Sequence, residues 1–251
     1  MINLIRKKLR NSPFYNISAQ FYHYISNNMM RTRFLFSSTK YLKPLKLLSS
    51  NYKSQYGQDY YLEKFKLLDK GTFFVEIGCN HPVYLSNSYY LEKSLGWEGI
   101  CIDGIDFSLL YEEHRSKSKF IHCLIDENEG EADFYQVENK SGWEDMVSSM
   151  HKKVLEHGRG FETSIKKVKT MPLSKIIDSN RKIDLCLIDV EGHEFSVLNS
   201  IEWISYKPNV FLIENSGQYF KRSKLVSYML NKGYMHFARI GTSDDIFVLK
   251  D

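Results

Sequence analysis

Acidic residues are missing from the first part of this chain: no Asp or Glu occurs before Asp59, whereas ten Lys and Arg do. The remainder carries 24 basic against 30 acidic groups, so the net charge of +4 hides a basic arm on a mildly acidic body. Such an arm suits contact with nucleic acid, anionic lipid or a phosphorylated substrate. The four cysteines, Cys79, Cys101, Cys123 and Cys186, show no metal-type spacing. All lie in or directly after apolar runs, which predicts small buried hydrophobes in a reducing compartment and excludes a disulfide frame. No run approaches the ~18 apolar residues that a membrane helix requires. The start has no apolar core followed by a small-residue cleavage site, so no secretion signal is expected. Histidine spacing of the zinc type, internal repeats and low-complexity tracts are also absent. A cytoplasmic protein is expected, with the arm suited to the inner face of a membrane.

Apolar runs are present, and they share one ending. Phe73-Phe-Val-Glu-Ile77 follows a Lys70-Gly71 turn signal and stops at Gly78. A short run of this kind, aromatic and β-branched, reads as a strand buried on both faces. Four later runs finish on a carboxylate: Ile100–Asp103, Phe120–Asp126, Ile183–Asp189 and Val210–Glu214. The first run carries Glu76 two residues before its end. In an open parallel sheet, ligands bind in the crevice outside the carboxyl ends of the strands. One acid there would read as a helix cap. Five along one predicted edge point to a pocket for ribose hydroxyls, amines, a cationic centre or a metal.

In chain order, residues 1–53 alternate basic clusters with aromatics, and two or three short helices are expected there. Helices follow over 60–68, 85–95, 107–115, 173–178, 194–200 and 220–231. Strands are expected at 72–78, 99–103, 120–125, 183–188 and 210–214. The 131–137 stretch alternates like an antiparallel strand, and 234–240 with 246–249 reads as a closing hairpin. The polar stretch 140–167, with a helix over 143–155, has the character of a lid. Five strands alternating with helices and then a hairpin is the layout of class I methyltransferases.

The residues themselves resemble the FkbM family of S-adenosylmethionine-dependent methyltransferases. The resemblance is carried by Ser54-Gln-Tyr-Gly-Gln-Asp59, Phe74-Val-Glu-Ile-Gly-Cys-Asn-His-Pro82, Ser86-Asn87, Trp97–Asp103, Ile188-Asp-Val-Glu-Gly-His-Glu194 and Trp203–Glu214. It covers roughly 54–250, which divides the chain into a basic, aromatic-rich helical segment (1–53) and a methyltransferase domain (54–251). The implied fold is α/β, a mostly parallel Rossmann-like sheet with a C-terminal antiparallel hairpin. Asn80 and Pro82 stand where second and third glycines often occur, and Pro82 has no N–H to give a cofactor.

The resemblance implies a methyl transfer from S-adenosylmethionine to a sugar hydroxyl, on a nucleotide-activated sugar or a glycan in bacterial capsule or lipopolysaccharide assembly. Glu76, Gly78 and Asn80 are expected at the amino-acid end of the cofactor, with Gln58, Cys79, Ser86, Asn87, Gly104 and Asp189 contributing to its site. Asp103 is placed to accept the ribose hydroxyls. Asp126 is either an adenine contact or a turn acid. For the acceptor proton, Asp189, Glu191, His193 and Glu194 form the densest group, and His81 competes with His193 as base. Asp189, Glu191 and Glu214 would also suit magnesium, and the metal question stays open. A sugar or nucleotide-sugar is the expected partner and nucleic acid is not; the arm is left for membrane contact, a lid or a homo-oligomer interface. Two other readings stay open: an NAD-dependent oxidoreductase, and a non-catalytic scaffold working through its arm.

Overall fold

The computed structural model describes residues 39–46, 51–138, 144–151, 162–178, 180–216 and 219–250. The helices expected before residue 39, and most of the one expected over 143–155, lie outside them. The main sheet contains β1 (Lys40–Leu42), β2 (Phe73–Ile77), β3 (Glu98–Asp103), β4 (Ser118–His122), β8 (Leu185–Ile188), β9 (Val210–Glu214), β10 (Tyr234–Ile240) and β11 (Asp244–Leu249). A second, three-stranded sheet holds β5 (Leu124–Ile125), β6 (Gly130–Val137) and β7 (Thr163–Met171). The helices are α1 (Gln58–Lys64), α2 (Tyr89–Lys93), α3 (Ser108–His114), α4 (Glu194–Asn199) and α5 (Tyr219–Asn231).

The main sheet runs β1-β10-β11-β9-β8-β2-β3-β4. Strands β4, β3, β2, β8 and β9 are parallel, and β11 lies antiparallel to both β9 and β10. The chain leaves β2 toward β3 on one side and later returns to β2's other side as β8. That reversal opens a crevice at the carboxyl ends of β2 and β8. All five residues of β2 are buried, as its unbroken apolar run requires. Val75 and Ile77 join Ile102, Val197 and Phe211 in one core, while Phe74 joins Leu91, Leu187 and Leu212 in the other. The sheet is thus covered on both faces, each large side chain contributing about 1.5–3 kcal/mol by its burial. All four cysteines are free and buried.

Four local expectations change. The strand expected over 120–125 breaks at Cys123, so β4 and β5 belong to different sheets and Asp126 leaves the second one. Residues 163–167, expected in a polar insertion, instead form β7 and pair with β6 from Gly130↔Thr170 to Val137↔Thr163. Lys166, Lys167 and Lys169 hide its alternation, because only Val168 and Thr170 of the strand are buried. In the segment expected to be helical, residues 40–42 are an edge strand. β1 runs parallel to β10, and the Leu45 N–H donates to the Tyr56 carbonyl at 2.9 Å. Helix α2 is shorter than 85–95 because 82–88 is held in another shape. Leu85 sits at φ 56, and the buried Arg115 guanidinium donates to the Pro82 carbonyl (2.9 Å) and the Ser88 hydroxyl (2.9 Å).

Candidate active site

The turn after β2 begins the site. Gly78 has φ +79, and a Cβ there would stand 1.7 Å from the Asp189 carbonyl oxygen. Only glycine lets the ends of β2 and β8 approach so closely. Its N–H and that of Cys79 donate to the Ile102 carbonyl at 2.9 and 3.2 Å, which ties the turn to β3. Asp103, ending β3, accepts from the Asn80 N–H (2.8 Å) and the Ile105 N–H (2.8 Å), one on each carboxylate oxygen. Each oxygen keeps a second lone pair. Burial pushes the Asp103 carboxyl up to about 6, with the two N–H groups acting against that rise.

A cleft of about 930 Å³ opens here. Gly78, Asn80, Asp103 and Gly104 line one part of it. Ile105, Leu124 and Phe134 add an apolar wall, the last two from the second sheet. The floor is acidic, with Asp189 from the end of β8, Glu191, Glu214 from β9 and Asp244 from β11. The β9–β11 register sets Asp244 opposite Glu214. Oxygens of Asp189, Glu191 and Glu214 lie within 4.8 Å of one another, close enough to share a hard cation. Asp189 opens to the cleft. Its carboxyl is nonetheless held well above the usual range, first by poor hydration between the cleft walls and then by Glu214, Glu191 and Asp244. Asp244 is buried and is pushed up to about 8, again by burial first and by Glu214 second.

A family model described as the methyltransferase FkbM domain matches residues 76–235 of the 251-residue chain, and so more than half of it. The chain belongs to the FkbM methyltransferase family. Among solved structures it is similar to a ribosomal RNA methyltransferase from Plasmodium falciparum at 15% identity. That likeness covers 80% of this chain and 98% of the other with a TM-score of 0.38, too loose to carry a functional conclusion. No curated protein matches. Among the described residues no helix is long and apolar enough to cross a membrane.

In this FkbM methyltransferase the residues expected from the sequence fall into two groups. Gly78, Asn80, Asp103, Gly104, Gln58, Asp189, Glu191 and His193 all border the cleft. Glu76, Cys79, Ser86, Asn87, His81 and Asp126 are not among its lining residues. Glu76 is buried, and its carboxyl is pushed up to about 7 by burial, against hydrogen bonds from Ser88 and the Asn87 N–H. It braces the 82–88 loop through those two bonds. The His81 ring braces it too: Nδ1 accepts the Val83 and Tyr84 N–H groups at 3.1 and 3.0 Å. With that lone pair occupied, a neutral His81 carries its proton on Nε2 and has no free acceptor nitrogen. Burial, then His114, also lowers its pKa.

His193 is engaged at Nδ1, while its Nε2 only approaches a carboxylate. Nδ1 lies 3.3 Å from Nε2 of His151, and Nε2 lies 3.5 Å from Asp126 Oδ2 without a hydrogen bond between them. Burial lowers its pKa, and Asp126 opposes that shift. Asp126, expected near adenine or in a turn, thus faces His193 and accepts the Glu127 N–H at 2.6 Å. Glu194 caps the Gly192 N–H at 2.7 Å. Asp244, Phe134 and Tyr56 are cleft residues that the sequence did not single out. For Asp244 a signal existed, an acid in the connection of a hairpin whose partner strand ends in Glu214.

Proposed function

We propose that this FkbM methyltransferase transfers the methyl group of S-adenosylmethionine to a hydroxyl of a sugar. The donor set suits that cofactor. Asp103 offers a spare lone pair on each oxygen for vicinal ribose hydroxyls, and Ile105, Leu124 and Phe134 form an apolar wall for a flat base. The Gly78–Asn80 turn would hold the amino-acid end. When bound, the cofactor supplies an electrophilic methyl on a cationic sulfur.

The observation that carries the reading is the floor beside that turn. Asp189, Glu191 and Glu214 present acidic oxygens to a cleft whose described lining holds a single lysine, Lys46, which favours an acceptor that donates hydrogen bonds, as a polyol does. Asp189 holds the acceptor hydroxyl and takes its proton as the oxygen–carbon bond forms. Its raised pKa makes it a stronger base than an ordinary aspartate. Glu191, at φ 49 on the adjoining turn, orients the acceptor. His193, with His151 on Nδ1 and Asp126 3.5 Å from Nε2, stands on the same wall as a second proton-handling group. Alignment supplies the rest, since displacement at a methyl carbon depends on an in-line approach.

The test is transfer of labelled methyl from S-adenosylmethionine to a panel of free sugars and nucleotide-sugars, with the new methyl located by NMR. An O-methyl sugar is the expected product. Label found on nitrogen or carbon, or on no sugar in the panel, contradicts the reading.

A further inference from the structure

The turn formed by residues 55–58 stands at the mouth of the cleft and is braced more firmly than a connector requires. Asp59, fully buried, accepts from the N–H groups of Lys53 (2.8 Å), Ser54 (3.2 Å) and Tyr60 (2.8 Å) and from the Ser54 hydroxyl. Burying a carboxylate is costly, so four donors on one side chain mark a shape that is held rather than sampled. Gly57 has φ +77, and a Cβ on it would stand 3.0 Å from the Leu45 Cβ. The Tyr56 N–H donates to Gln58 Oε1 at 2.7 Å, and Gln58 Nε2 reaches the floor residue Asp244 at 3.3 Å. Ser54 also forms a bridge with Leu85, another residue that lines the cleft. Tyr56 is thereby held by its N–H, by its carbonyl and by both neighbouring segments, and it lines the cleft.

Its chemistry complements the floor. Burial, and then Asp244, Glu214 and Asp189, raise the phenol's pKa, so it stays a neutral O–H donor among groups that accept. A tyrosine also offers a rigid apolar face at small entropic cost. We propose that Tyr56 is an acceptor-specificity residue, its ring carrying the apolar face of a sugar whose hydroxyls turn toward the carboxylates below. This rests on the sugar O-methyltransferase reading above and adds the residue that selects the acceptor.

The test uses the full chain loaded with S-adenosylhomocysteine and titrated calorimetrically with the sugars that the wild type methylates. In Tyr56→Ala the acceptor dissociation constant should rise on the order of tenfold or more, with KM following. S-adenosylhomocysteine affinity should stay as in the wild type. Tyr56→Phe should fall between, which separates the ring from the hydroxyl. Acceptor binding unchanged in Tyr56→Ala overturns the proposal while leaving the methyltransferase reading intact. Loss of S-adenosylhomocysteine affinity by the same factor as acceptor affinity overturns it too, because the turn would then serve the cofactor. A wild type that binds S-adenosylhomocysteine but no sugar overturns both. If Tyr56→Ala does not fold, Tyr56→Leu, which keeps bulk without the ring, carries the same expectation and the same refutation.

Discussion

Two carboxylates of the floor make separate predictions because one opens to the cleft and the other is buried beneath it. Asp189→Asn should lower kcat by ~10²–10⁴-fold, the usual contribution of a positioned base. It should change cofactor affinity little, because the proposed site gives that contact to Asp103 and the Gly78 turn. Because the Asp189 pKa is raised, the acid limb of kcat/KM should lie above the ordinary carboxylate range and vanish in the variant. Wild-type turnover in Asp189→Asn contradicts the base assignment. Asp244 predicts a stability effect instead. Its carboxyl titrates at about 8 in the folded chain, against ~3.9 in an unfolded one. Between those values the unfolded chain is ionised there and the folded chain is not. The folded state's advantage is therefore full below about pH 4 and is lost as pH rises toward 8. Asp244→Asn should match the wild type near about pH 4 and exceed its thermal midpoint near about pH 8.5 by on the order of ten degrees, since each pH unit between the two values is worth about 1.4 kcal/mol and one kcal/mol moves a domain of this size by ~2–4 °C. Equal midpoints at the higher pH would show that Asp244 is not held neutral by its burial.

At the level of elements, the cleft depends on a loop whose shape is set from a distance. Arg115, buried after α3, pairs with Glu92 of α2 at 2.8 Å and holds Pro82 and Ser88 of the loop that brings Tyr84 and Leu85 to the cleft. Arg115→Met leaves a buried Glu92 without its guanidinium and should cost ~3–5 kcal/mol in denaturant unfolding. Adding Glu92→Gln should recover part of that loss, and an undiminished loss in the double variant would place the damage elsewhere. This loop also shows where the sequence stops being readable. The runs at 73–77, 100–103, 183–189 and 210–214 are legible because strands buried on both faces must be apolar throughout. Asp103 and Asp189 are legible with them, as acids where such strands end. The 82–88 loop looks helical because nothing near it in sequence names Arg115. Asp126 looks like a fifth acid on the same edge, but the break at Cys123 sends its strand into the other sheet. Asp244 joins the floor only through the antiparallel register of β11 on β9. β1 is three residues long and exists by pairing with β10, a partner nearly 200 positions away that no local pattern can announce.

For the whole molecule, the sheet reaches past the family match at both ends. β1 lies before residue 76 and β11 after residue 235, and Tyr56 and Asp244 reach the cleft from outside that match. A chain cut before residue 39 keeps β1, whereas one cut after residue 50 loses it together with the Leu45–Tyr56 hydrogen bond. The longer truncation should melt lower than the shorter and expose the β10 edge, a template for association between chains. Equal midpoints and equal solubility would make β1 an ornament of the fold. The central claim is that the crevice at the ends of β2, β3 and β8 holds an adenosyl cofactor by Asp103. Calorimetric titration of the full chain with S-adenosylhomocysteine tests it most directly. Binding at one site with at least micromolar affinity is expected, weakened on the order of tenfold or more in Asp103→Ala through the loss of charged hydrogen bonds worth ~1.5–3 kcal/mol each. No binding by the wild type, or equal affinity in a folded Asp103→Ala, would contradict it.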